Sequence, residues 1–339
     1  MSNVTYLLGA GASAQCLPVV NQIPDKLQEF IAFLEASENS LSKKDVFSTL
    51  EGSRARFVHQ SELITDLKEL KAQSSSHASI DTYAKKLIVR RDFKQLRKLK
   101  SCLTCFFAYI QYLTPPDARY DSFFASIIES DGHIQFPEKL NILSWNYDSQ
   151  LEISLSEFSG DKTHFQNQSL LNVYPGRAPS FLPPLKKFSV VKLNGTATSI
   201  HNKSNMMFGP ILKETHKDDH FDLIESLVLI YSKLVLQDLA LSPLLSFAWE
   251  KGSVNTDGLN FALERVKQTA TLVVIGYSFP FFNREIDRKI FAAMSSLKKV
   301  YIQDTRATEL TDKLKGITSS NLEVVPIMDI EEFFLPPEL

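Results

Sequence analysis

The stretch YLLGAGASAQ, residues 6–15, decides the fold. Apolar residues from Val4 to Leu8 read as a buried strand, and glycine and alanine follow at once, so the backbone is free to turn sharply at the strand's end. A strand that runs into small residues suits the carboxyl edge of a parallel sheet, where a ligand phosphate approaches the main chain with no Cβ in the way. Gly9, Ala10, Gly11, Ala12, Ser13 and Ala14 fit the G-x-G-x-x-G/A spacing. An acidic residue roughly 20 positions further on would grip a ribose hydroxyl. None is evident, because Glu29 sits inside a helical pattern. A plain hydride-transfer enzyme is therefore not the natural reading.

Further short apolar runs rich in Val, Ile and Leu occur at 140–145, 188–193, 271–276 and 298–302. Like 4–8, they read as buried parallel strands. Between the first two runs, KLQEFIAFLEA, SELITDLKELKA, IDTYAKKLIVRRDFKQLRKLK and CLTCFFAYIQYL all carry helical patterning. A crossover that long must contain an inserted subdomain. A second helical segment, 218–268 with Trp249 near its middle, precedes the run at 271. DGHIQFP and VYPGRAPSFLPP are turn-rich separators. The fold expected is α/β: a Rossmann-like, doubly wound parallel sheet with an inserted helical subdomain. Its domains are 1–23 with 131–339 for the sheet, carrying a helical insertion at about 200–268, and 24–130 for the helical subdomain.

Composition limits what these motifs mean. The chain has 339 residues, 44% hydrophobic and 22% charged, with a formal charge of −2, which fits a soluble globular protein and gives no dedicated nucleic-acid surface. The basic run RRDFKQLRKLK at 90–100 reads as a solvated helix face. No basic leader or cleavage site opens the sequence, and Glu225, Lys233 and Asp238 interrupt its longest apolar stretch, so no membrane span is expected. Cys16, Cys102 and Cys105 make an odd, low count that suits a reducing cytoplasm.

Three more strand ends carry chemistry-bearing residues. SWNYD places Asn146 and Asp148 after one strand, KLNG places Asn194 and Gly195 after another, and IGYSF places Gly276 and Ser278 after a third, with Asp287 in the helix beyond. Each alone is an ordinary Asn, Asp or Gly turn. Together, in a parallel sheet, they would face one crevice.

GAGAS, WNYD, KLNG and GYSF, in that order and spacing, resemble the sirtuin-like NAD-consuming domains of bacterial anti-phage defence proteins, in which they commonly read GAGAS, TNYD, KLHG and GYSFP. The resemblance spans nearly the whole chain. It implies an NAD site beside a helical lobe and hydrolysis of the nicotinamide–ribose bond, depleting NAD during infection. Gly9, Ala10, Gly11 and Ser13 would then cradle the diphosphate. Asn146 would orient water, Asp148 would hold the loop or a ribose hydroxyl, and Gly276 with Ser278 would wall the nicotinamide-ribose side. Asp304, ending VYIQD, would reach the adenosine. Partners implied are NAD or ADP-ribose, a homo-oligomer, and a separate ATPase or nucleic-acid-sensing protein.

Two departures matter. The zinc ribbon of protein-deacylating sirtuins needs two CxxC pairs, and only Cys102-Leu103-Thr104-Cys105 is present, so no metal is expected and the cysteines read as apolar packing on one helix face. Asn194 stands where the family has the histidine of KLHG, and an amide takes up no proton near neutral pH. Asn194 could still hold a ribose hydroxyl while Asn146 orients the water, with slower turnover, or His201 or, less directly, His164 could stand in. The alternative is a weakened or inactive NAD or ADP-ribose sensor acting with a partner. HASIDTYAKKL, residues 77–87, resembles a segment preceding the family's helical lobe, with Asp81 expected to cap its helix.

Overall fold

The computed structural model describes residues 3–36, 60–130, 134–160, 162–176, 184, 187–202, 207–210, 220–235, 241–250, 253–318 and 322–339. Parts of both turn-rich separators, residues 131–133 and 177–183, and Asp238 lie outside the described residues. The chain divides into two units, Met1–Leu17 with Pro116–Thr196 and Ser246–Leu339, and Pro18–Pro115 with Ala197–Leu245.

The first unit is built on a seven-stranded sheet. Its strands are β1 (Asn3–Leu8), β2 (Leu140–Ser144), β3 (Val173–Tyr174), β4 (Ser189–Lys192), β5 (Thr269–Ile275), β6 (Lys299–Gln303) and β7 (Glu323–Ile327). The spatial order is β7-β6-β5-β1-β2-β4-β3, and every adjacent pair is parallel. This is a Rossmann-like α/β fold. The chain winds from β1 to one side and returns to β1's other flank at β5, so the winding direction reverses between these two strands. Ligands in open α/β sheets bind outside the carboxyl ends at such a point.

Successive residues of β1 face opposite sides of the sheet. Val4, Tyr6 and Leu8 pack in a core with Tyr120, Phe123, Phe124, Leu151 and Leu155, while Leu7 packs in the other with Phe261, Val266, Ile290, Phe291, Leu310 and Leu314. Helices therefore cover both faces. Helix Ala118–Ile127, within the 24–130 span expected for the helical subdomain, falls in this unit, where Tyr120, Phe123, Phe124 and Ile127 join that first core. The strand β7 has no counterpart in the sequence reading. Its Pro326 cannot donate to a ladder, and β7 is an edge strand, where a proline is tolerated.

In the second unit, helix Ile23–Glu35 buries Leu27, Phe30, Ile31 and Leu34, an i, i+3, i+4, i+7 stripe, and Phe30 stacks on Tyr109 with centroids 4.2 Å apart. Cys102 and Cys105 are buried in helix Phe93–Leu113, as apolar packing on that helix requires. The basic run is only partly a solvated face. Arg97 donates to the carbonyls of Leu234 and Leu241, and Lys98 pairs with Asp66 at 2.9 Å. Ser79 rather than Asp81 caps helix Ile80–Val89, its Oγ accepting from Thr82 N at 3.3 Å; Asp81 already lies inside the helix. The segment 218–268 is not continuous helix. It contains helices His220–Val235 and Ser253–Val266, with Trp249 in a turn between them. Among the described residues, no helix is long and apolar enough to cross a membrane.

Candidate functional site

The strand register brings the candidate residues to one edge. Leu8 is paired with Ile275 and with Ser144, Ser144 with Lys192, and Ile275 with Gln303, so these five residues form a row across the sheet. The next residues along each strand are Gly9, Trp145, Leu193, Gly276 and Asp304, and Asn146 and Asn194 follow one step further.

At the reversal point two glycine turns lie backbone on backbone. Gly11 N donates to Gly276 O at 2.9 Å, and Gly9 N donates to Ile275 O at 2.9 Å. A Cβ built on Gly276 would lie 2.3 Å from Gly11 C and 2.4 Å from Ala12 N, and its φ is +59°. The glycines are thus required by this close approach. That geometry bears on the expected diphosphate cradle. The Gly9 and Gly11 amides already donate within the fold, leaving exposed Ala10 and partly exposed Gly11 as surface for a ligand to lie against.

The Ser13 hydroxyl is likewise engaged within the fold. It donates to Asp148 Oδ2 at 2.8 Å, receives Asn146 Nδ2 at 3.3 Å and lies 3.0 Å from the Tyr120 hydroxyl. A hydroxyl offers one donor and two acceptor sites, so this set fills it. Ser13 joins the glycine turn to the loop after β2 and is 1% exposed. Asn146 Nδ2 also donates to Gly9 O at 2.9 Å, tying the two strand ends directly.

Asp148 is buried, and its Oδ1 accepts from Gln150 N at 3.2 Å. Burial raises its carboxyl above the usual aspartate range, opposed by Lys192, by Ser13 and by the Gln150 amide. Lys192, at the end of β4, donates to Asp148 O at 2.6 Å and pairs with Glu152 at 2.7 Å. Burial would raise Glu152 too, but Lys192 and then His164 outweigh it and hold that carboxyl below its ordinary value. His164 lies in the first turn of helix His164–Leu170.

A second buried ion pair braces the glycine turn from below. Arg119 pairs with Asp117 at 2.6 Å, and its Nη2 donates to Gly11 O at 3.0 Å and Ala12 O at 3.1 Å. Asp117 Oδ2 in turn accepts from Gln15 N at 3.2 Å. Sequence reasoning missed Arg119, Asp117, Lys192 and Glu152. Only charged residues inside apolar runs, such as the lysine in SVVKLNG, hint at them.

Asn194 Nδ2 donates to Trp145 O at 3.3 Å, while its buried Oδ1 has no hydrogen-bond partner among the described residues. Ser278 is half-buried in the loop after β5. Asp304 sits at the expected edge, but its Oδ1 accepts from Arg306 N at 2.9 Å and so caps its own turn. His201 is in the second unit, on strand Ser199–Asn202, paired with Phe208 and Ser242. Among the described residues, no group of three or more His, Cys, Asp or Glu is placed to hold a metal ion.

No family model matches the chain, and neither does any curated protein. Among solved structures it is similar to Sir2Tm bound to a propionylated peptide, at 12% identity, over 96% of this chain and 87% of that one, with a TM-score of 0.37. It is also similar to a structure described as the structural basis of sirtuin substrate affinity, at 12% identity over 96% and 88%, with a TM-score of 0.39. Values this low leave the crevice, and not the likeness, to carry a functional reading.

Proposed function

We propose that the carboxyl-edge crevice binds NAD and that the protein is an NAD⁺ glycohydrolase, cleaving the nicotinamide–ribose bond. The observation that supports this most is the convergence of Gly11, Asn146, Asn194 and Gly276 on one edge, joined by direct contacts across four strand ends. The ordered GAGAS, WNYD, KLNG and GYSF stretches point the same way.

Nicotinamide leaves a cationic ring as a neutral molecule, so the departure needs no acid. What the protein must supply is orientation. The Asn146 amide nitrogen is fixed by Gly9 O and Ser13 Oγ, and this sets the direction of its carbonyl oxygen, which in our reading orients the attacking water. Asp148, anchored by Ser13 and by Lys192 on its carbonyl, keeps that loop in place. A ribose hydroxyl would satisfy the unpartnered Asn194 oxygen. Gly276 and Ser278 wall the opposite side. With Asn194 in place of a base, the rate is expected to lie roughly 10²–10⁴-fold below that of a site with a positioned general base.

That same amide favours a second reading, in which the chain binds NAD or ADP-ribose without turnover and signals to a partner. On the hydrolase reading an NAD-consuming site requires restraint, which we assign to self-association or to a separate ATPase or nucleic-acid-sensing protein of a defence system. The test is nicotinamide release from NAD⁺ by the purified protein, beside Asn146→Ala. Asn146→Ala is expected to lower release at least 10²-fold while circular dichroism stays unchanged. Tight binding with no release supports the sensor reading, and neither binding nor release sinks both.

A further inference from the structure

Asp287 lies outside the machinery described so far. It sits in helix Arg284–Ala293, 1% exposed, and accepts the Tyr277 hydroxyl on both oxygens at 3.0 and 2.9 Å. Tyr277 stands between Gly276 and Ser278, and its ring stacks on Trp145 with centroids 6.0 Å apart and planes 15° from parallel. Trp145 stands between Ser144 and Asn146, and its carbonyl holds Asn194. One carboxyl therefore backs the ends of both β2 and β5.

We propose that Asp287 is a positioning residue which, through Tyr277 and Trp145, couples the loop carrying Asn146 to the loop carrying Ser278 and makes their alignment depend on its ionisation. The consequence for catalysis rests on the NAD-hydrolase reading; the coupling itself does not.

Two observations support it. First, the buried Trp145 indole N–H is a donor to the Asp287 carboxyl, at a geometry short of a full hydrogen bond among the described residues. A buried donor of this kind gains from a full acceptor beside it. Secondly, burial raises the Asp287 carboxyl to about 7, opposed by Tyr277 and Trp145. Among the described residues, no charged neighbour contributes to that shift. Glu285 and Lys289 of the same helix pair with each other at 2.8 Å and line a neighbouring cleft of about 420 Å³ together with Glu250. Below neutrality the neutral carboxyl binds its donors weakly. Above it the carboxylate accepts from Tyr277 and draws in the indole N–H, since hydrogen bonds to an ionised acceptor are roughly twice as strong.

The chain has two tryptophans, so Trp249→Phe leaves Trp145 as the only indole reporter. In that background the Trp145 fluorescence is expected to titrate with a midpoint close to neutral. Asp287→Asn, which keeps the shape but cannot ionise, should abolish the transition. Tyr277→Phe, which removes a group that lowers the carboxyl's pKa, should move the midpoint upward. For nicotinamide release, kcat/KM should rise about tenfold from pH 6 to 8 in the parent and stay flat in Asp287→Asn. A transition unchanged by both variants, or no transition at all, overturns the proposal. A transition that obeys both variants in a protein releasing no nicotinamide upholds the coupling and counts against the hydrolase reading alone.

Discussion

Gly276→Ala is expected to leave little soluble, folded protein. An alanine methyl there would sit 2.3 Å from Gly11 C and 2.4 Å from Ala12 N, both backbone atoms that no rotamer change can move. The φ of +59° adds a conformational penalty of roughly 1–2 kcal/mol for any residue with a Cβ. Forcing atoms into a filled site costs a further ~1–3 kcal/mol. A total of about 2–5 kcal/mol is a large part of the 5–15 kcal/mol typical of a whole domain. The disruption would also separate β1 from β5 where their turns meet, so the candidate site should be lost with the stability. Soluble yield and the urea midpoint check this, and a variant with the parent's midpoint would mean that the two turns do not pack as described.

Lys192→Met is expected to destabilise by ~3–5 kcal/mol, because it removes the lysine that balances buried carboxyls. Lys192 and Glu152 are 3% and 0% exposed, so solvent cannot replace the lost charge. The pH dependence gives a sharper check. In the parent, Glu152 has a folded pKa below its ordinary 4.5, so its contribution is present above that value and is lost as pH falls through the folded pKa. Without Lys192, burial raises Glu152, the folded state binds the extra proton, and the sign reverses. The stability gap between variant and parent should therefore be widest near pH 8 and narrow towards pH 5. Adding Glu152→Gln to Lys192→Met should recover much of the loss at pH 8. A gap independent of pH, or no recovery in the double variant, would mean that the pair does not carry the charge balance of this edge.

Much of the sheet was legible in the sequence because local pattern is enough for a buried strand. The runs at 4–8, 140–145, 188–193, 271–276 and 298–302 each became a strand within a residue or two of those bounds. The edge strands were not, since Val173–Tyr174 is too short to show a period and Glu323–Ile327 is only partly apolar. The site was half legible. Strand ends identify which residues reach the carboxyl edge, and Gly9, Asn146, Asn194 and Gly276 do reach it. What local pattern cannot show is which donors are already occupied. Gly11 N meets a carbonyl 265 positions away, and Ser13 meets Asp148 across 135, so the expected phosphate contacts became internal bonds only once the chain was folded. The braces Arg119–Asp117 and Lys192–Glu152 escaped for a related reason. Their meaning lies in burial, which a charged letter in a sequence does not display.

The most direct measurement is the structure of the protein with ADP-ribose or NAD⁺ bound. The expected result has the diphosphate lying against Ala10 and Gly11, with a ribose within hydrogen-bond distance of Asn146 and Asn194 and the Ser278 loop closing the other side. A nucleotide on a different face of the sheet, or saturating ligand with none at the Gly11–Gly276 contact, would contradict it.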